Sequence, residues 1–189
     1  MYRRILFTLF LLFPLTVLAQ GKKPVVKLET SLGDILIELN ADKAPKTVEN
    51  FLQYVNSGYY DGTIFHRVIS NFMIQGGGFT EDFQKKPTRA PVINEADNGL
   101  KNYRGSLAMA RTSDPQSATA QFFINVVDNQ FLDYRSPTAR GWGYAVFGNV
   151  IDGMAIVDKI RNTATGPGGP FPKDVPQSAV IIKKASLQK

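Results

Sequence analysis

Residues 65–79 read FHRVISNFMIQGGGF, and the alternation within them points to β-structure. Side chains alternate across a strand, so Ile64, His66 and Val68 are expected on one face and Phe65, Arg67 and Ile69 on the other. Arg67 and the chain's only His therefore point apart. The pattern breaks at Ser70-Asn71 and resumes over Phe72, Met73, Ile74 and Gln75 before Gly76-Gly77-Gly78. This predicts two extended segments joined by a tight turn in which Asn71 supplies a positive φ.

Outward from this stretch the chain carries short β-type runs and few helical ones. Val25 to Thr30 and Ile35 to Leu39 flank a turn at Gly33 and predict a hairpin. Pro45 opens a helix whose apolar stripe is Val48, Phe51, Leu52 and Val55, and Gly58 closes it. Further strands are predicted over Gly105 to Ala110, Gln121 to Val126, Tyr144 to Val150 and Val180 to Ala185. A second helix carries Met154, Val157 and Ile160. The connections 80–102 and 165–178, the latter TGPGGPFPKDVPQS, read as loops. Strands do not alternate regularly with helices. The expected fold is therefore mainly β, a closed eight-stranded antiparallel β-barrel capped by two α-helices, with a two-sheet sandwich as the alternative.

Composition bounds the class. With 189 residues, 43% of them hydrophobic, the chain has material for one domain with a real core. Arg3-Arg4, the apolar run from Ile5 to Phe13 and the small-residue end at Ala19 have the form of a secretory signal peptide. Residues 1–19 are therefore expected to be removed, leaving one domain over 20–189. The run is shorter than the roughly 20 residues a spanning helix needs, so no membrane association is expected after cleavage. The cysteine count is zero, which excludes disulfides and thiol chemistry. The net charge of +6 includes Arg3 and Arg4, and the remaining charges are interspersed rather than gathered into the basic stripe that nucleic acid requires.

The residues exclude several chemistries. A single His66 and the absence of HExxH argue against a zinc site, so no metal is expected. Gly76-Gly77-Gly78 lacks the Lys-Ser/Thr of a phosphate loop, and reads instead as a place of bending or close backbone approach. No Ser sits in a nucleophile elbow, and His66 reads as a core histidine satisfied by hydrogen bonding. Arg67, in an apolar strand, must be paired or must present its donors to a ligand, with Gln75 near enough to orient it. Residue types alone leave both readings open.

Four stretches together resemble the cyclophilins, a family of peptidyl-prolyl cis/trans isomerases: FHRVISNFMIQGGGF, GSLAMAR at Gly105 to Arg111, SATAQFFI at Ser117 to Ile124, and GYAVFGNVIDGM at Gly143 to Met154. The resemblance spans nearly all of Val25 to Leu187. It implies rotation about Xaa-Pro bonds by an outer groove on the barrel, with no cofactor. By position it implies catalytic roles for Arg67 and Gln75 and an apolar proline pocket of Phe72, Met73, Phe123 and Leu132. Ala110, Arg111, Gln121, Phe131 and Tyr144 complete the implied substrate-binding set. Phe122, next to Phe123, is then expected in the core. Arg111, Phe131 and Tyr144 stand where many eukaryotic members have Asn, Trp and His, and resemble the exported bacterial branch. Losing the Trp at Phe131 removes an indole N–H donor and predicts weak binding of cyclosporin.

The resemblance and the signal peptide together imply a monomeric periplasmic isomerase acting on proline-containing polypeptides during folding. A module or holdase that only binds such segments in the same groove is the alternative. A barrel holding a small apolar ligand inside is disfavoured by its bulky inward residues.

Overall fold

The computed structural model describes residues 23–188, so the expected signal peptide and cleavage point lie outside the described residues. Nine strands form one curled antiparallel sheet: β1 Val25–Thr30, β2 Gly33–Leu39, β3 Thr63–Ile64, β4 Arg67–Ile69, β5 Met73–Gly76, β6 Ser106–Met109, β7 Phe122–Asn125, β8 Val146–Asp152 and, last in the chain, Ile181–Gln188. Two more strands, β9 Thr165–Gly168 and β10 Phe171–Pro176, pair as a separate hairpin, which makes the C-terminal strand β11. The helices are α1 Pro45–Asn56 and α2 Met154–Arg161. The mainly β architecture with two helices is the one expected; the strand count is higher.

Sheet order is β3-β11-β1-β2-β8-β6-β7-β5-β4. Its two edge strands, β3 and β4, are separated in the chain only by Phe65 and His66. The ring is thus completed by the chain itself and by a bridge from Thr63 to Thr80, so closure of the barrel is approximate. This break also resets the alternation. Phe65 and Val68, expected on opposite faces, both enter the same core. The β4–β5 turn closes with the Phe72 amide donating to the Ile69 carbonyl at 3.0 Å. Asn71 is not among the residues with positive φ, contrary to expectation.

The interior is filled by large side chains. Phe51, Tyr60, Phe122 and Phe147 are fully buried, with Phe51 at 5.1 to 5.7 Å from the other three rings. Val48, Phe51 and Val55 of α1 enter this core as their spacing predicts, while Leu52 lies at its margin. The helix has Pro45 in its first turn and no side-chain cap of its own. Glu95 supplies one from the long connection, accepting from the Lys46 and Thr47 amides at 3.1 and 2.8 Å. A carboxylate there satisfies amides that otherwise lack partners and complements the positive helix end.

The stretch 165–178, expected as a loop, instead forms the β9–β10 hairpin. It is held from outside the ladder: Phe171 packs on Phe79 at 5.1 Å and on His66 at 5.4 Å, and Phe83 lies against Gly169. Other boundaries shift for local reasons. Strand β8 starts at Val146 rather than Tyr144, because the Tyr144 amide donates to Leu132 instead of to the sheet. Strand β11 runs on to Gln188 because it pairs along the whole of β1.

His66 is buried in the core as expected, but among the described residues its Nδ1 has no hydrogen-bond partner, so the ring is satisfied only in part. Burial lowers its pKa from 6.5 to about 4; a backbone hydrogen bond at Ile64 opposes this and the nearby Arg67 charge adds to it. The folded chain therefore holds the neutral ring. Above pH 6.5 neither state gains a proton; as pH falls from 6.5 to about 4 the unfolded chain binds it first and stability drops. The total is about 3 kcal/mol. Thermal unfolding from pH 7 to pH 4 is expected to show a steeper loss for the wild type than for His66→Phe. Parallel losses would contradict this account.

Candidate functional site

The curled sheet uses both of its faces. Ile74, Phe122, Ile124, Leu107 and Phe147 point into the barrel, while Met73, Phe123, Ala108 and Val146 form a second, smaller cluster with Leu132. Period-two alternation makes this division, because each strand must offer one set of side chains to each side. Registers align Arg67, Gln75, Phe123, Ala108 and Val146 in one row across β4, β5, β7, β6 and β8. A cation, an amide and an apolar floor thus come together although they are far apart in sequence. Of the adjacent pair, Phe122 enters the core and Phe123 the outer cluster, as expected.

Over this row lies a groove of about 290 Å³ lined by Arg67, Phe72, Met73, Gln75, Ala110, Arg111, Phe123, Phe131, Leu132 and Tyr144. Phe72 and Phe131 stack at its rim with centroids 5.5 Å apart, and Phe131 is 61% exposed. Tyr144 meets Phe123 edge-on at 5.7 Å. Arg111 lies over the Tyr144 ring at 4.4 Å and is tethered by its Nε, which donates to the Gly143 carbonyl at 2.9 Å. Gln121 stands apart from the other expected residues. It lines an adjoining depression of about 220 Å³ that shares Gln75, Ala110 and Arg111 with the groove. Gln75 Nε2 donates to Gln121 Oε1 at 3.0 Å, so the two amides connect the depressions.

The glycine run fits by close approach. Gly77 has φ +78°, and a Cβ on Gly78 would fall 2.5 Å from the Gln121 side chain. A larger residue there would displace the partner of Gln75.

Sequence reading missed the supports of the groove. Asn125 ends β7 facing outward and donates to Ser106 Oγ at 2.8 Å; Asn129 donates to Asn125 Oδ1 at 2.7 Å and to the Phe72 carbonyl at 2.8 Å. Asp133 accepts from the Asn102 amide at 2.8 Å. Together they fix the loop carrying Phe131 and Leu132 against the turn carrying Phe72. The available signal was a polar Asn closing the apolar run FFIN. Asp174 was missed too: its Oδ2 lies 3.9 Å from Arg67 Nε.

The groove is an apolar trough edged by donors. No carboxylate, imidazole or thiol is among its lining residues. Such a site suits binding a ring and an amide and donating hydrogen bonds to it, rather than proton abstraction or covalent attack.

The model of the family described as cyclophilin type peptidyl-prolyl cis-trans isomerase/CLD matches residues 25–187. A peptidyl-prolyl cis-trans isomerase of Streptomyces antibioticus, cyp18, is 62% identical over 162 residues, covering 86% of this chain and 97% of its own length. Peptidyl-prolyl cis-trans isomerase B of Escherichia coli K12 is 56% identical over 163 residues, covering 86% and 99%. The crystal structure of a Cryptosporidium parvum cyclophilin type isomerase, crystallised in the presence of the dipeptide Ala-Pro, matches with TM-score 0.66 at 30% identity, covering 87% of this chain and 99% of that one.

Proposed function

The chain belongs to the cyclophilin family and is a peptidyl-prolyl cis-trans isomerase; from that premise we propose that the outer groove is its active site and that it serves protein folding in the periplasm. The observation that carries the site is the row that sets Arg67 and Gln75 beside the apolar floor of Phe123. Phe72, Met73, Phe123 and Leu132 take the proline ring, and Ala110, Arg111, Phe131 and Tyr144 flank the rest of the peptide. Gln121 acts from the adjoining depression by holding Gln75.

Amide resonance sets the barrier at about 18–20 kcal/mol, and twisting the Xaa-Pro bond removes that resonance. The proline nitrogen becomes pyramidal and more basic. A guanidinium N–H aimed at it therefore binds the twisted state more strongly than either planar isomer, which is the condition for acceleration. One charge-assisted hydrogen bond is worth about 1.5–3 kcal/mol, or roughly one to two decades of rate. The apolar trough supplies the rest by holding the ring while its partner turns, away from water. No proton changes owner and no cofactor enters any step.

The reading of location rests on Arg3-Arg4 and the apolar run that follows, and a chain without cysteine folds in an oxidising compartment without mispaired thiols. Uncatalysed Xaa-Pro isomerisation takes tens to hundreds of seconds, slow enough to limit folding there. When the full-length chain is expressed in a Gram-negative host and the cells are fractionated, a product shorter by about 20 residues is expected in the periplasmic fraction. Unprocessed chain in the cytoplasm or membrane would overturn the localisation without touching the isomerase. Added to a refolding protein limited by proline isomerisation, the mature chain is expected to speed the slow phase.

A further inference from the structure

We propose that Asp174 is a positioning residue for Arg67, an inference that rests on the catalytic reading of Arg67 given above. Arg67 is half exposed, and its side chain makes no hydrogen bond among those of the described residues. Its register partner Gln75 is engaged with Gln121 instead. The one carboxylate paired with it, among the described residues, is Asp174, with Oδ2 at 3.9 Å from Nε and a side chain only 23% exposed.

The placement of this carboxylate is built into the backbone. Between the pairs Phe171–Gly168 and Val175–Gly166 the register of β10 shifts against β9, so extra residues bulge out of the hairpin. Asp174 stands in this bulge with φ +65°, a left-handed conformation that non-glycine residues rarely adopt. Bulges re-aim side chains next to functional sites, and this one turns a carboxylate toward β4. The hairpin itself is clamped. Phe171 packs on His66 and Phe79, and Phe83, the other non-glycine residue with positive φ, covers Gly168 and Gly169. The two strained residues thus lie on the two sides of one clamp.

Pairing at Nε leaves the two Nη groups, the far end of the guanidinium, free to face the groove. A long side chain with several rotatable bonds is thereby held in one direction. This matters more in the transition state than for ground-state binding, since the apolar trough binds the ring without Arg67. The expected signature is a fall in kcat with KM little changed.

The test is isomerisation of a short Xaa-Pro peptide by wild type, Asp174→Asn, Asp174→Gly, Arg67→Ala and the double variant Arg67→Ala/Asp174→Asn. Glycine accepts the φ of this position without strain, so Asp174→Gly removes the carboxylate while leaving the bulge intact. Both Asp174 variants are expected to lose roughly three- to tenfold in kcat, with KM within about twofold of wild type. The double variant is expected to match Arg67→Ala alone, since a residue acting through Arg67 has nothing left to act on. Wild-type kcat in both Asp174 variants, or an additional loss in the double variant, would overturn the proposal while leaving the role of Arg67 standing. Wild-type turnover in Arg67→Ala would overturn the catalytic reading and this proposal with it.

Discussion

Replacing Arg67 with Ala is expected to lower kcat/KM for a short Xaa-Pro peptide by about one to two decades, the equivalent of one charge-assisted hydrogen bond. The fold should barely register the change. Arg67 is half exposed on β4, an edge strand of three residues, and its one ion pair among the described residues, with Asp174, is of the partly exposed kind that contributes at most about 1 kcal/mol. On the proposed mechanism its value lies in the groove, where a donor would meet the nitrogen only when the bond is twisted. Arg67→Lys should recover little of the rate, because an ammonium places its charge at a point rather than across a planar fork. Peptide isomerisation and thermal unfolding measured on the same preparations check both halves. Lost stability with retained rate would return Arg67 to a structural role.

The second large effect separates two adjacent phenylalanines. Phe122→Ala is expected to cost about 3–5 kcal/mol of stability, as large-to-small changes in a close-packed core do. Its ring lies 5.4 Å from Tyr60, 5.7 Å from Phe51 and 6.2 Å from Phe65, so the cavity would open at the junction of α1 with the barrel. For a chain of this size the unfolding midpoint should fall on the order of 10 °C. Phe123→Ala removes the same number of atoms one residue later. It opens the groove floor among Met73, Ala108 and Leu132, where the smaller cluster relaxes toward solvent, and its main effect is expected in a raised KM. Unfolding and steady-state kinetics on the two variants decide the matter. The reverse pattern, with Phe123→Ala the less stable and Phe122→Ala the poorer binder, would mean that the faces of β7 had been exchanged.

Alternation made much of this architecture legible from residues alone. The β1–β2 hairpin, the stripe of α1 and the opposed directions of Phe122 and Phe123 all follow from periods of two and of 3.6 residues. The β9–β10 hairpin did not, because TGPGGPFPKDVPQS lacks alternation and carries the punctuation of a loop. Its strands exist because Phe171 is seized by His66 and Phe79, a contact that joins residues over ninety positions apart and leaves no local trace. The break at Phe65 and His66 was hidden for a similar reason. A strand pattern continues through it, yet the barrel closes there and the alternation restarts.

The groove was legible in another way. Residue types left Arg67 open between an ion pair and a ligand contact, and the structure shows why neither excludes the other: Asp174 lies near its Nε while the residue lines the groove. Only the resemblance carried by FHRVISNFMIQGGGF and its companion stretches gathered the distant residues Arg111, Phe131, Leu132 and Tyr144 into one site. Gln121 was drawn in with them, and its place in the adjoining depression depends on a side-chain bond to Gln75 that no motif records. The asparagines beneath the rim escaped both kinds of reading, since their work is to satisfy one another out of sight of solvent.

The central claim is that the outer groove holds the proline while Arg67 lowers the barrier to rotation. NMR exchange spectroscopy on an Xaa-Pro peptide with a substoichiometric amount of the mature chain tests it most directly, by reading bound-state interconversion of the cis and trans forms together with the protein signals that move. The account predicts exchange cross-peaks with wild type, their loss with Arg67→Ala, and shifts of the Met73, Phe123 and Leu132 side-chain signals in both proteins. Undiminished exchange with Arg67→Ala, or shifts confined to another face of the barrel, would contradict it.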